Sequence, residues 1–150
     1  MDRGSVEILK ENLNLVNLSM KRLLYSYENC NKTGLKDFYS DDEFDAFDAL
    51  ISRYARTTNM LINKVLRNID IVEYIDGGTI IDAINNMERR GIVDANDLFK
   101  LKDLQNSITH EYVTDNIVRF FDCVLKFTPI LQLIIERIND YCSRYTTDKI

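Results

Sequence analysis

Residues 40–70 read SDDEFDAFDALISRYARTTNMLINKVLRNID, and this stretch decides the fold. Phe44, Phe47, Leu50, Tyr54, Leu61, Val65 and Ile69 recur at steps close to the helical period, so one face of a long helix is apolar. Ser40, Asp41, Asp42 and Glu43 have the form of a capping box, in which the hydroxyl and the glutamate each satisfy a free backbone amide. Carboxylates at that end also suit the positive pole of the helix. The acidic run DDEFDAFD is therefore read as a helix start rather than a metal site.

Helical patterning continues in both directions. Upstream, Val6, Leu9, Leu13, Val16, Met20, Leu24 and Tyr27 form one stripe of a helix over about residues 5–29, and NCNKTG with Gly34 suits a loop. Downstream, DGG at residues 76–78 breaks the chain. Thr79 caps a short helix through Arg90, carrying Ile80, Ile81, Ile84 and Met87, and Gly91 ends it. Asp94 caps a fourth helix over about residues 94–112. A long region over about residues 115–145 completes the chain, with Pro129 expected to kink or restart it. Ile117, Phe120, Phe121, Val124, Leu125, Phe127, Ile130, Leu131, Leu133, Ile134, Ile135 and Ile138 make this last helix apolar on more than one face. It is either central to a bundle or partly covered by another subunit.

The expectation is an all-α bundle of about five helices in a single domain, residues 1–150. Five glycines and one proline among 150 residues disfavour a turn-rich β protein. A net charge of −5 argues against broad phosphate neutralisation, so nonspecific duplex binding is not expected, although a local basic patch can hold a short nucleic acid. Cys30, Cys123 and Cys142 form no CxxC pair, and one histidine is too few for a structural zinc site, so neither metal nor cofactor is expected. Reduced thiols, MDRGSVEILKENLNL without an apolar signal core, and CVLKFTPILQLII interrupted by Lys126 and Gln132 together predict a cytoplasmic protein that does not enter a membrane.

The single histidine lies in LQNSITHEY, residues 104–112. On a helical wheel Leu98, Leu101, Leu104, Ile108 and Tyr112 share the core side, while Phe99, Asp103, Asn106 and His110 fall opposite. His110 is thus predicted to face away from its own bundle. A solvated surface position is the plainer alternative. A large apolar group beside hydrogen-bonding side chains suggests instead a cleft or a subunit contact, and histidine is the natural proton-transfer group near neutral pH.

Gln105-Asn106-Ser107-Ile108-Thr109-His110-Glu111-Tyr112 resembles the motif of the HepT-like branch of the HEPN superfamily, once called nucleotidyltransferase substrate-binding proteins. That motif often runs arginine, a polar residue (commonly asparagine), three further residues, histidine, any residue, tyrosine. The likeness holds at Asn106, His110 and Tyr112 and departs at the arginine, where Gln105 stands. FDAFDALISRYARTTNMLINKVLRNID is similar to the family's second helix, and GGTIIDAINNMERRGIVDANDLFKLKDLQNSITHEY to the stretch leading into the motif, so the resemblance covers about residues 44–140.

The resemblance implies an up-down helical bundle, HEPN-like, that forms a homodimer whose two motifs face each other across a two-fold cleft. It implies a metal-independent ribonuclease toxin, paired with a minimal nucleotidyltransferase antitoxin that in some pairs transfers AMP groups to the motif tyrosine, here Tyr112. In the family the histidine handles protons and the arginine stabilises charge on the phosphate. Gln105 carries no charge and cannot form arginine's bidentate fork. Arg53, Arg56 and Lys102 are the candidate substitutes for phosphate binding, with solvated charges as the plainer reading. A noncatalytic dimer that binds the nucleotidyltransferase or a nucleotide is the alternative; no Gly-rich phosphate loop supports a nucleotide site.

Overall fold

The computed structural model describes residues 3–111 and 117–147, and every regular element among them is helical. The helices are α1 (Arg3–Thr33), α2 (Asp41–Met60), α3 (Leu66–Val72), α4 (Ile80–Arg89), α5 (Ala95–Glu111) and α6 (Ile117–Thr146). A single π turn, Leu61–Val65, joins α2 to α3, so the two form one continuous rod. The bundle thus has the five helical rods expected. Among the described residues no helix is long and apolar enough to cross a membrane.

Local chemistry sets the boundaries. Ser40 Oγ accepts from the Glu43 amide at 3.2 Å while the Glu43 carboxylate accepts from the Ser40 amide at 2.9 Å, which is the capping box read from the sequence. Thr79 and Asp82 repeat the device at the start of α4. At α5 the Asp94 carboxylate accepts from the Asn96 amide at 2.8 Å. Gly91 ends α4 with φ +75°, and the Ile92 amide reaches back to the Met87 carbonyl. The rod ends one step before the expected break. Tyr74 takes φ +63°, and the Ile75 and Tyr74 amides bond to the Asp70 and Ile71 carbonyls, a Schellman closure built on a non-glycine residue.

Packing places α1 antiparallel to the rod. Cys30 meets Ala46, Ser26 meets Arg53, Ser19 meets Thr57 and Asn12 meets Asn68, so rising numbers on one helix match falling numbers on the other. α6 runs alongside the rod in the same sense. Phe121 stacks on Phe47 with centroids 3.7 Å apart near one end, and Tyr141 bonds to Glu73 near the other. α6 is central: Phe120, Phe121, Val124, Leu131, Ile134, Ile135 and Ile138 are buried, while Val118, Ile130 and Leu133 remain exposed. Pro129 does not restart it. The helix continues through, with the Thr128 hydroxyl bonded to the Val124 carbonyl at 2.6 Å, one residue before the Leu125 carbonyl whose ladder bond Pro129 removes.

The π turn has a packing reason. One extra residue turns the downstream stripe, so Leu61, Ile62, Val65 and Leu66 are all buried and Ile69 and Asp70 point toward α4. There Arg90, at the end of α4, bonds Asp70 at 2.7 Å and Glu73 at 2.6 Å with its side chain 8% exposed. Asn86 donates to the second Asp70 oxygen at 3.2 Å, and Tyr141 and Tyr145 both donate to Glu73. Every buried charge in this knot has a partner, and it ties α3, α4 and α6 together.

Candidate functional site

The α5 wheel behaves as predicted over its described length, except at Phe99. Leu98, Leu101, Leu104 and Ile108 are buried against the bundle. Asp103, Asn106 and His110 are exposed on the opposite side, whereas Phe99, expected on that outward stripe, packs half-buried against the core and is not an exposed aromatic beside them. Tyr112 lies outside the described residues.

Gln105 sits at the edge of this polar face, half-buried, and donates to the Asn59 side-chain oxygen on α2 at 3.3 Å. Asn63, one turn on and inside the π turn, donates to the same Asn59 oxygen. Thr109 returns its hydroxyl to the Gln105 carbonyl at 3.0 Å. Gln105 is therefore held in a small amide cluster, Gln105–Asn59–Asn63. Sequence reasoning missed the two asparagines. Their spacing of four residues on the polar side of α2 is the signal that could have found them, because it places both amides on one face.

The candidate cations divide. Arg53 does not turn toward α5. Its guanidinium donates to Ser26 Oγ at 2.5 Å and to the Arg22 carbonyl at 3.3 Å, both on α1, where it lines a groove with Lys21, Arg22, Leu18 and Tyr25. Arg56 is exposed on α2, and Lys102 is half-buried on α5 one turn before Asn106. Of the three, Lys102 alone shares the helix that carries His110.

The arrangement offers a histidine, two side-chain amides and a lysine along about two turns of helix. A surface of this kind can accept and donate protons and bond to phosphate oxygens. No group of histidine, cysteine and acidic side chains suited to a metal ion occurs among the described residues. No family model, curated protein or solved structure matches the chain.

Proposed function

We propose that the chain is a HepT-like HEPN toxin: a homodimer that cleaves RNA without a metal at a cleft lined by two copies of His110, kept in check by a minimal nucleotidyltransferase antitoxin. The observation that supports this reading is the joint exposure of Asn106 and His110 on the outward side of α5, beside Gln105. In this reading one imidazole takes the proton of a ribose 2′-hydroxyl as its oxygen attacks phosphorus. The other gives a proton to the departing 5′-oxygen, leaving a 2′,3′-cyclic phosphate. Asn106 and Gln105 donate hydrogen bonds to the phosphoryl oxygens. The missing arginine lowers the rate by about a hundred- to a thousand-fold, the usual cost of one charge-stabilising donor. Tyr112 is the position for AMP transfer by the partner.

The test is cleavage of RNA in the presence of a chelator by wild type, His110→Ala and Gln105→Arg. Slow cleavage that disappears in His110→Ala and rises in Gln105→Arg is the expected result. Equal cleavage in wild type and His110→Ala refutes the assignment of His110.

One observation favours a second reading, a noncatalytic module that binds the nucleotidyltransferase or a nucleotide. Arg53, a candidate to replace the motif cation, is committed to α1. In that reading neither wild type nor Gln105→Arg cleaves RNA, while the chain still co-purifies with a co-expressed minimal nucleotidyltransferase.

A further inference from the structure

α1 carries a second stripe, on the side away from its bundle. Ile8, Leu15, Leu18 and Tyr25 are 46–67% exposed, and Glu11 and Arg22 lie between them, also exposed. The six positions follow steps of 3, 4, 3, 4 and 3, the heptad spacing of a helix that packs lengthwise on another. Scattered exposed apolar side chains are ordinary, but a continuous seam at this spacing is not.

The seam is also self-complementary. Ile8 and Tyr25, Glu11 and Arg22, and Leu15 and Leu18 are each equidistant from the midpoint between Val16 and Asn17. Laid antiparallel on a copy of itself, the stripe sets leucine against leucine at the centre and isoleucine against tyrosine at the ends. Glutamate then meets arginine between them, as an isologous two-fold contact requires. A parallel pairing would oppose Glu11 to Glu11 and Arg22 to Arg22.

The groove bounded by Leu18, Lys21, Arg22, Tyr25 and Arg53, about 430 Å³, lies on the half of α1 that would receive Ile8 and Glu11 of the second copy. Its three cations face Glu11 of the stripe, with Glu7 beside it paired to Lys10 at 3.6 Å. One unfavourable neighbour remains: Glu28 approaches Glu7 of the second copy at each end, where solvent screens the repulsion.

We infer that the outward face of α1 is an antiparallel, two-fold docking seam for a second copy of this chain, centred between Val16 and Asn17. The seam is separate from the His110 face, because α2 and α6 each pack on both α1 and α5 and so lie between them. A chain that pairs through both faces assembles beyond a dimer, closing as a tetramer where the two axes cross at right angles, and one that pairs through α1 alone is a dimer with its two His110 side chains far apart.

The test is the mass in solution, by sedimentation across a wide concentration range, of wild type, Leu18→Glu, Arg22→Glu and the swap Glu11→Arg/Arg22→Glu. Leu18→Glu should halve the assembled mass. Arg22→Glu should weaken association by roughly ten-fold, and the swap should recover it. All these side chains are exposed, so the helical circular dichroism should not change. Should Leu18→Glu fail to fold, the two charge variants carry the test.

A monomeric wild type, an unchanged mass in Leu18→Glu, or a swap no better than Arg22→Glu overturns the seam. A wild-type dimer that becomes wholly monomeric in Leu18→Glu supports the seam and removes pairing through His110. An unaffected dimer does the reverse, so the two readings fail separately.

Discussion

Arg90 Nε stands 2.6 Å from Glu73 Oε1, and the two side chains are 8% and 18% exposed. The same guanidinium holds Asp70 at 2.7 Å, so one cation answers two carboxylates inside the bundle. Replacing Arg90 by methionine keeps much of its apolar stem but leaves both acids without their cation. Breaking such a buried pair typically costs about 3–5 kcal/mol. Urea unfolding of Arg90→Met should show a loss of that size with an unchanged slope. A loss below about 1 kcal/mol would mean that solvent already compensates the charges.

The knot also sets a pH dependence. Burial alone would push the Glu73 carboxyl up, but hydrogen bonds from Tyr141, Tyr145 and Arg90 outweigh it and hold the group below the usual glutamate range. A depressed carboxyl contributes stability at pH values above its unfolded value of about 4.3, and that contribution is lost as pH falls through the folded value. Burial first, then the hydrogen bond to Glu73 and after it the Glu73 charge, raise Tyr141 and Tyr145. Their contribution is full below the unfolded tyrosine value of about 10 and is lost as pH rises beyond the folded values. Unfolding free energy should therefore fall toward both extremes in wild type, and Glu73→Gln should flatten both limbs. Limbs that stay equally steep in the variant would place the titration elsewhere.

Tyr74 is a strained terminus that glycine would relieve. Its φ of +63° costs a side-chain-bearing residue roughly 1–2 kcal/mol, and its ring is 71% exposed, so little packing is lost on removing it. Tyr74→Gly should raise stability by about 0.5–1 kcal/mol, the strain relief being partly offset by the entropy of glycine in the unfolded chain. Gly91→Ala, at φ +75°, should do the opposite. Thermal midpoints of the two variants that move in the same direction would refute this account.

The thiols should separate in reactivity. Burial pushes Cys30 up to about 11, and burial with the nearby Glu73 charge pushes Cys142 up to about 12. Both side chains are buried, whereas Cys123 is half-buried. Since the thiolate is the reactive form, a thiol reagent near neutral pH should label Cys123 first and reach the other two only in denaturant. Prompt labelling of all three in the native protein would contradict the packing of α1 and α6.

Much of the fold was legible because it rests on repeating signals. The stripe of the rod, the first five turns of α1, the capping box at Ser40, the cap at Thr79 and the stop at Gly91 all stand where periodicity and local chemistry put them. α1 runs four residues past its expected end, since neither asparagine nor lysine stops a helix until Gly34 takes φ +66°. Its buried stripe also drifts from Leu24 and Tyr27 toward Leu23 and Cys30. The π turn left no mark of its own, because an inserted residue in an apolar run reads as one more buried position. The Asp70–Arg90–Glu73 knot was equally hidden, since its members are distant in sequence and each alone looks like a surface charge. At the candidate site the outward turn of His110 and Asn106 followed from the wheel, whereas Arg53 binding to α1 depends on how two helices pack, which spacing on one helix cannot tell.

The surplus residue in Leu61–Val65 makes the rod behave as a camshaft, whose two lobes address different neighbours. Deleting one residue there would restore ideal backbone bonding along the rod. It would also swing everything beyond it by about 100° and draw it in by about 1.5 Å. Asp70 would then face away from Arg90, and a better helix would make a worse protein.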